Sequence, residues 1–223
     1  MSRPLPFDLA PRPALGREDF LAGASNAEAL AWIERWPEWA GPGLALVGPA
    51  GSGKTHLAAI WRTRAAAVVL DRAALAADVA DALGEARHAL LEDADREVAE
   101  RPLLHLHNLV LERGGNLLLT AREAPSRWPI ALPDLRSRLG ALPVATLGPP
   151  DDALLAAVLV KLFADRQLRP APDLVAFLVP RLERSFAALG RAVGALDEAA
   201  LAERRAITVP WARDTLTRAG MIV

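Results

Sequence analysis

The chain has 223 residues, a net charge of −1 and no cysteine. This length allows one large domain or two small ones, and the balanced charge argues against a basic surface that binds nucleic acid through its phosphates. The absence of cysteine excludes disulfides, thiolate metal sites and cysteine nucleophiles, and it is consistent with a reducing cytoplasm. We find no signal-peptide pattern and no apolar run long enough to span a bilayer, so we expect a cytoplasmic protein without membrane association.

The first part of the chain predicts an arm followed by an α/β domain. Residues 1–17 are rich in proline and lack periodicity, which indicates an extended arm. Residues 26–36 have helical spacing, with Asn26 as a candidate N-cap. Apolar runs then alternate with helical segments, one of which covers residues 102–112, and this alternation predicts a doubly wound α/β fold. The predicted strands of its parallel sheet are residues 44–47, 67–70, 88–91, 116–120 and 144–147.

The composition changes after Gly148-Pro149-Pro150. The remaining chain has helical periodicity, apart from a brief strand-like run at residues 207–209. We therefore predict a nucleotide-binding α/β domain over residues 18–148 and a small helical lid domain over residues 149–223. The predicted lid helices cover residues 151–166, 172–181, 185–204 and 211–219.

The sequence GPAGSGKT at residues 48–55 is a complete phosphate-binding loop, or P-loop, between an apolar strand and a helix. Its glycines allow backbone N–H groups to surround phosphates, and the helix N-terminus adds partial positive charge. Lys54, one of only two lysines, is expected to reach the β- and γ-phosphates, and the Thr55 hydroxyl to bind Mg²⁺. The predicted ligand is ADP or ATP with Mg²⁺, held by Gly48, Pro49, Ala50, Gly51, Ser52, Gly53, Lys54, Thr55 and His56.

Two further strands end in polar residues, at the edge of the sheet where open α/β folds bind nucleotides. Glu92 and Asp93 follow the third strand, as in a Walker B element. One acid would hold the Mg²⁺ shell through water and the other would polarise the attacking water, although a solvated acidic turn is the alternative. Thr120 ends the fourth strand, where its hydroxyl could orient the γ-phosphate or the water.

Several other residues have a less specific pattern. Arg138 is either a surface ion-pair partner or an arginine finger offered to the nucleotide of a neighbouring subunit. His105 and His107 are two positions apart on a predicted helix and so face different directions. We interpret all four histidines as structural and the six tryptophans as packing residues.

In this order the motifs resemble the DnaA-like AAA+ family, most closely its short Hda branch, over nearly the whole chain. Residues 20–26 (FLAGASN) are similar to the family's FvvGxsN box, which implies that Asn26 lies near the adenine. Residues 90–95 resemble its Walker B, and residues 118–122 resemble its sensor 1. Residues 136–139 resemble box VII, in which Arg138 is the finger. Residues 197–201 and 207–210 resemble the Hda C-terminus, and we expect no helix-turn-helix DNA-binding domain after them.

The resemblance implies a regulator that binds ADP or ATP, docks on the sliding clamp and promotes ATP hydrolysis by the initiator DnaA. It is compatible with a homo-oligomer. One alternative is a related adaptor or helicase loader that contacts DNA, but the neutral composition makes direct DNA binding an unfavoured expectation. Another is a small-molecule P-loop kinase, which would require an acceptor pocket.

Three positions depart from the family pattern. Glu92 stands where aspartate is usual, and the sensor 2 arginine position falls on Ala187. The nearest substitutes are Arg184 and Arg191, of which Arg191 lies one turn along the helix. We therefore expect weak or no intrinsic hydrolysis, since both changes misplace charge at the transition state. The family's clamp motif, QLxLPL, has lost its glutamine here, and the remaining apolar anchors of the arm are Leu5, Phe7 and Leu9.

Overall fold

The computed structural model describes residues 15–97 and 99–222. The strands are β1 (Gly43–Val47), β2 (Val68–Leu70), β3 (Ala89–Leu91), β4 (Leu117–Ala121) and β5 (Val144–Thr146). The helices of the first part are α1 (Ala27–Arg35), α2 (Lys54–Ala65), α3 (Arg72–Ala77), α4 (Val79–Leu83), α5 (Glu100–Glu112), a 3₁₀ turn (Pro125–Arg127) and α6 (Pro133–Gly140). The second part contains α7 (Asp152–Ala164), α8 (Pro172–Leu178), α9 (Phe186–Glu203) and α10 (Val209–Arg218).

The five strands form one parallel sheet in the order β2-β3-β4-β1-β5. The central pair, β1 and β4, is buried along its whole length, as near-continuous apolar runs require when helices cover both faces. This architecture confirms the predicted α/β fold with a five-stranded parallel sheet. It also brings the carboxyl ends of β1, β3 and β4 to one edge, where the P-loop and the other polar strand ends meet.

Successive residues along a strand point to opposite faces of the sheet and so belong to two different cores. Leu118 belongs to the core under α1 and α2, which also contains the stacked pair Trp39 and Trp61, with ring centroids 5.5 Å apart. Leu117 and Leu119 belong to the opposite core under α3 to α6. Helices α7 to α10 enclose a third core of their own. The tryptophans of the first core are packing residues, as the sequence predicted.

Several local predictions were wrong. The strand-like run at residues 207–209 forms no strand, because Val209 begins α10 and Pro210 has no N–H to give to a sheet. Helices α3, α4 and α6 were not predicted. Asn26 precedes α1 but makes no capping hydrogen bond, since its side-chain oxygen already accepts from the Gly23 N–H at 2.8 Å. Within the described part of the chain, no helix is long and apolar enough to cross a membrane.

Candidate nucleotide site

The P-loop turns sharply between β1 and α2. Gly51 and Gly53 have φ angles of +74° and +99°, a conformation that favours glycine, and Lys54 is the first residue of α2. The Lys54 side chain is buried and its Nζ donates to the carbonyl oxygens of Gly48 at 2.7 Å and Pro49 at 2.9 Å. Its ammonium group is therefore held against the backbone of the loop.

The electrostatic surroundings of Lys54 favour an anionic ligand. Burial lowers the pKa of Lys54, because a charged ammonium group loses hydration, and the carboxylates of Asp93 and Asp95 oppose this effect. The Ser52 hydroxyl is also buried and has no hydrogen-bond partner among the described residues. A phosphate would supply the missing acceptor for Ser52 and a counter-charge for Lys54, so the loop fits the predicted nucleotide.

The predicted Walker B and sensor 1 residues are hydrogen-bonded to each other. The Asp93 N–H donates to the Thr120 hydroxyl oxygen at 3.0 Å, and the Ala94 N–H donates to the Thr120 carbonyl at 2.8 Å. Because the hydroxyl oxygen accepts from Asp93, its own proton remains available for donation to a phosphate or a water. Asp93 has a φ of +49°, a strained conformation that is frequent at functional sites, and its carboxylate lies 3.3 Å from Arg96. Glu92 is half-buried directly after β3.

A cleft of about 890 Å³ extends from the P-loop between the segment 15–21 and helices α7 and α9. Its volume suits a nucleotide-sized ligand. Its apolar lining includes Phe20, Val158 and Phe186, and its polar lining includes Lys54, Thr55 and His56.

Two predicted nucleotide contacts support the wall of this cleft. Asn26 is buried, and its side chain bonds to the backbone of Gly23 and Leu21, so it shapes the FLAGASN turn. The Nε2 of His56 lies 3.0 Å from the Gly16 carbonyl, and its ring packs edge-on against Phe20 at 5.1 Å. These contacts fasten the segment 15–26 against the start of α2.

The sequence analysis missed a charged cluster at the far end of the cleft. Lys161 of α7 contacts Asp19 at 2.7 Å and Asp165 at 3.0 Å. The hydrogen bond between Lys161 and Asp19 raises the pKa of Lys161 and lowers the pKa of Asp19. The spacing of Lys161 and Asp165, four residues apart on a predicted helix, is a signal in the sequence for their contact, but no sequence pattern pairs Lys161 with the distant Asp19.

The lid packs directly on the P-loop. The Phe186 N–H donates to the Gly51 carbonyl at 3.3 Å, and a Cβ added to Gly51 would lie 2.3 Å from the Cβ of Ser185. Ala187, the predicted sensor 2 position, lines the cleft. Arg191 is exposed and lies 3.7 Å from Glu183, and it is not among the residues that line the cleft.

Arg138 lies on α6, away from the residues that line the cleft. Its Nε donates to Asp134 at 2.8 Å, and its side chain is 35% exposed. The geometry thus brings together the P-loop, Asp93 and Thr120, while Arg138 and Arg191 lie outside this group.

A P-loop at the end of a central parallel strand, followed by a helical lid, is the arrangement of the AAA+ fold. The fold matches domain III of the replication initiation protein DnaA from Thermotoga maritima, with a TM-score of 0.79 and 18% identity, over 93% of this chain and 97% of that chain. AMPPCP-bound DnaA from Aquifex aeolicus matches with a TM-score of 0.66 and 16% identity over 85% of this chain, which spans 65% of that one. The RuvB Holliday junction branch migration motor from T. maritima matches with a TM-score of 0.70 and 15% identity, over 91% of this chain and 71% of that chain.

These structural identities are low, and they establish the fold. Residues 152–216, in addition, match the family model of the Hda lid domain. The lid is therefore similar to that of Hda, and the described chain has the fold of domain III of DnaA.

Proposed function

We propose that the protein binds ADP or ATP with Mg²⁺ at the P-loop and acts as a regulator of replication initiation. The observation that carries the nucleotide proposal is the buried Lys54 ammonium group beside the unpartnered Ser52 hydroxyl. Among the described residues, no group of three or more His, Asp and Glu side chains could hold a metal by itself. Mg²⁺ is therefore expected to bind through the nucleotide phosphates and Thr55, with Glu92 and Asp93 contributing through water.

Nucleotide binding should depend on Lys54. We expect Lys54→Ala to abolish ADP and ATP binding in calorimetry, because no other lysine or arginine lies on the P-loop. The fold should survive, since the substitution also removes a charge that burial disfavours. Arg62→Ala, on an exposed position of the same helix, is the matched control and should bind normally. Undiminished affinity in Lys54→Ala would exclude the site.

The regulatory part of the proposal rests on the match of the lid to Hda and on Arg138. We infer that the protein promotes ATP hydrolysis by the initiator DnaA, with Arg138 contacting the initiator's nucleotide in trans. In the free protein Arg138 forms only a partly exposed ion pair with Asp134, a type of contact that stabilises little and can exchange for a phosphate. A finger arginine stabilises charge that develops on the transferred phosphoryl group and accelerates the reaction by about 10³-fold or more.

The proposed clamp contact involves Leu5, Phe7 and Leu9, which lie outside the described residues. We propose that they dock into a hydrophobic groove of the sliding clamp, as the resemblance to the QLxLPL motif implies. The arm joins the described chain at Leu15, which lines the nucleotide cleft.

A further inference from the structure

The two walls of the nucleotide cleft come from different parts of the chain. Asp19 and Phe20 of the segment 15–21 line one side, and helices α7 and α9 of the lid line the other. The segment is fastened to the α/β domain, because Phe20 is buried and its ring packs against His56 in α2. Widening of the cleft between these walls must therefore move the lid helices away from the segment 15–21.

Lys161 of α7 joins the two walls. Its ammonium group lies 2.7 Å from the Asp19 carboxylate and also donates to Asp165, on the same side of the cleft, at 3.0 Å. The Lys161 and Asp19 side chains are only 26% and 18% exposed, so solvent screens their attraction less than that of a fully exposed ion pair. The hydrogen bond to Asp19 raises the pKa of Lys161, which keeps the ammonium group charged at neutral pH. The contact is thus an ion pair across the cleft.

Lys161 lies beyond the points at which the lid rests on the α/β domain. Near the start of α7, a Cβ added to Gly23 would lie 3.2 Å from the Cδ2 of Leu154, so the chain at Gly23 packs on that side chain. The start of α9 rests on the P-loop through the hydrogen bond from the Phe186 N–H to the Gly51 carbonyl. Lys161 is about two turns, roughly 10 Å, further along α7 than Leu154. A rotation of the lid about the starts of these helices would therefore break the ion pair and keep the other two contacts.

We propose that the ion pair between Asp19 and Lys161 is a latch that ties the lid to the segment 15–21 and controls how fast a nucleotide enters and leaves the cleft. This inference rests on the proposed nucleotide binding. Asp19 and Lys161 are positioning residues, since they bind each other rather than the ligand. We expect the pair in both the nucleotide-bound and the nucleotide-free protein. Its loss should therefore raise the association and dissociation rates together and leave the affinity nearly unchanged.

The test measures the release of radiolabelled ADP from the whole protein after a chase with unlabelled ADP and Mg²⁺, together with the Kd from calorimetry. Asp19→Ala should release ADP about fivefold faster, the upper end expected for a partly exposed ion pair, and change the Kd less than about twofold. Lys161→Met should accelerate release at least as much, since it also leaves the carboxylates of Asp19 and Asp165 close together. Glu34→Gln is the matched control, because it breaks the ion pair of Arg17 in the same segment without involving the lid.

Exchanging the two charges separates the latch from other effects of these side chains. Asp19→Lys places a second cation opposite Lys161 and should also speed release, whereas Asp19→Lys combined with Lys161→Asp restores the attraction and should slow release again. The proposal is overturned if Asp19→Ala releases ADP at the unaltered rate, or if the exchanged pair releases it as fast as Asp19→Lys alone. It is also overturned if the affinity of Asp19→Ala falls by the factor by which release accelerates, because Asp19 would then contact the nucleotide. Failure of the unaltered protein to bind ADP would instead contradict the proposed function itself.

Discussion

At the scale of single residues, the buried His107 and the half-buried His88 link the stability of the fold to pH. His107 is 3% exposed, and among residues 15–97 and 99–222 neither of its ring nitrogens has a hydrogen-bond partner. The Nδ1 of His88 accepts from the Asn116 N–H at 3.0 Å. Burial lowers the pKa of both side chains, and the charge of Arg138 adds to the effect at His107. Neither residue lines the nucleotide cleft.

The direction of the pH effect follows from these lowered values. In the unfolded chain both histidine side chains take up a proton near pH 6.5. In the folded protein the two imidazole rings remain neutral to a lower pH. The unfolded state therefore binds more protons as the pH drops below about 6.5. The free energy of unfolding should fall in this range, until the pH reaches the folded-state pKa values.

His107→Leu should make the protein less sensitive to acid. We expect the loss of unfolding free energy between pH 8 and pH 5.5 to shrink by about 1 kcal/mol, because one proton taken up only by the unfolded chain is removed. Urea unfolding at both pH values measures the difference. His105→Leu, at an exposed position of the same helix, should behave like the unaltered protein. If His107→Leu loses as much unfolding free energy between pH 8 and pH 5.5 as the unaltered protein, His107 is not a source of the pH dependence.

At the scale of elements, the start of helix α9 and the P-loop form one packed unit. Ser185 caps α9 by accepting from the Ala188 N–H at 3.2 Å, and its Cβ occupies the space beside Gly51. The absence of a side chain at Gly51 thus serves two needs, the left-handed backbone and the approach of the lid. If nucleotide binding moves the P-loop, the start of helix α9 must therefore move as well.

Gly51→Ala tests this contact against a control with the same backbone requirement. Gly114 has a φ of +63° and no atom within 4 Å of an added Cβ, so Gly114→Ala should cost about 1 kcal/mol from backbone strain alone. Gly51→Ala should cost clearly more, since it also displaces Ser185. Thermal unfolding without nucleotide measures both. Equal losses would mean that the lid does not rest on the loop.

The sequence predicted the strands and the long helices better than the short helices. Strand β4 is an unbroken apolar run with polar ends, which is a strong signal for a buried parallel strand. Helix α6 was missed because it has only eight residues and starts at a proline, so that it spans barely two turns of periodicity. Helices α3 and α4 are shorter still and alanine-rich, and alanine does not distinguish core from surface.

At the scale of the whole molecule, the chain assembles the cleft from distant segments. The P-loop, Asp93 and Thr120 could be predicted because each ends a strand, and parallel strands bring their ends together. The ion pair between Asp19 and Lys161 could not, because it depends on how α7 packs against the segment before α1. The hydrogen bond from the Arg122 N–H to the Asp95 carboxylate depends in the same way on two turns that meet at the edge of the sheet.

The most direct test of the regulatory proposal is the rate of ATP hydrolysis by the initiator DnaA in the presence of this protein and the sliding clamp. The unaltered protein should accelerate hydrolysis. Arg138→Ala should bind nucleotide normally but lose most of this acceleration, since the charge offered to the initiator's phosphates is gone. Arg127→Ala, which breaks a similar ion pair four residues apart, is the control and should accelerate fully. Absence of acceleration by the unaltered protein, or full acceleration by Arg138→Ala, would contradict the proposal.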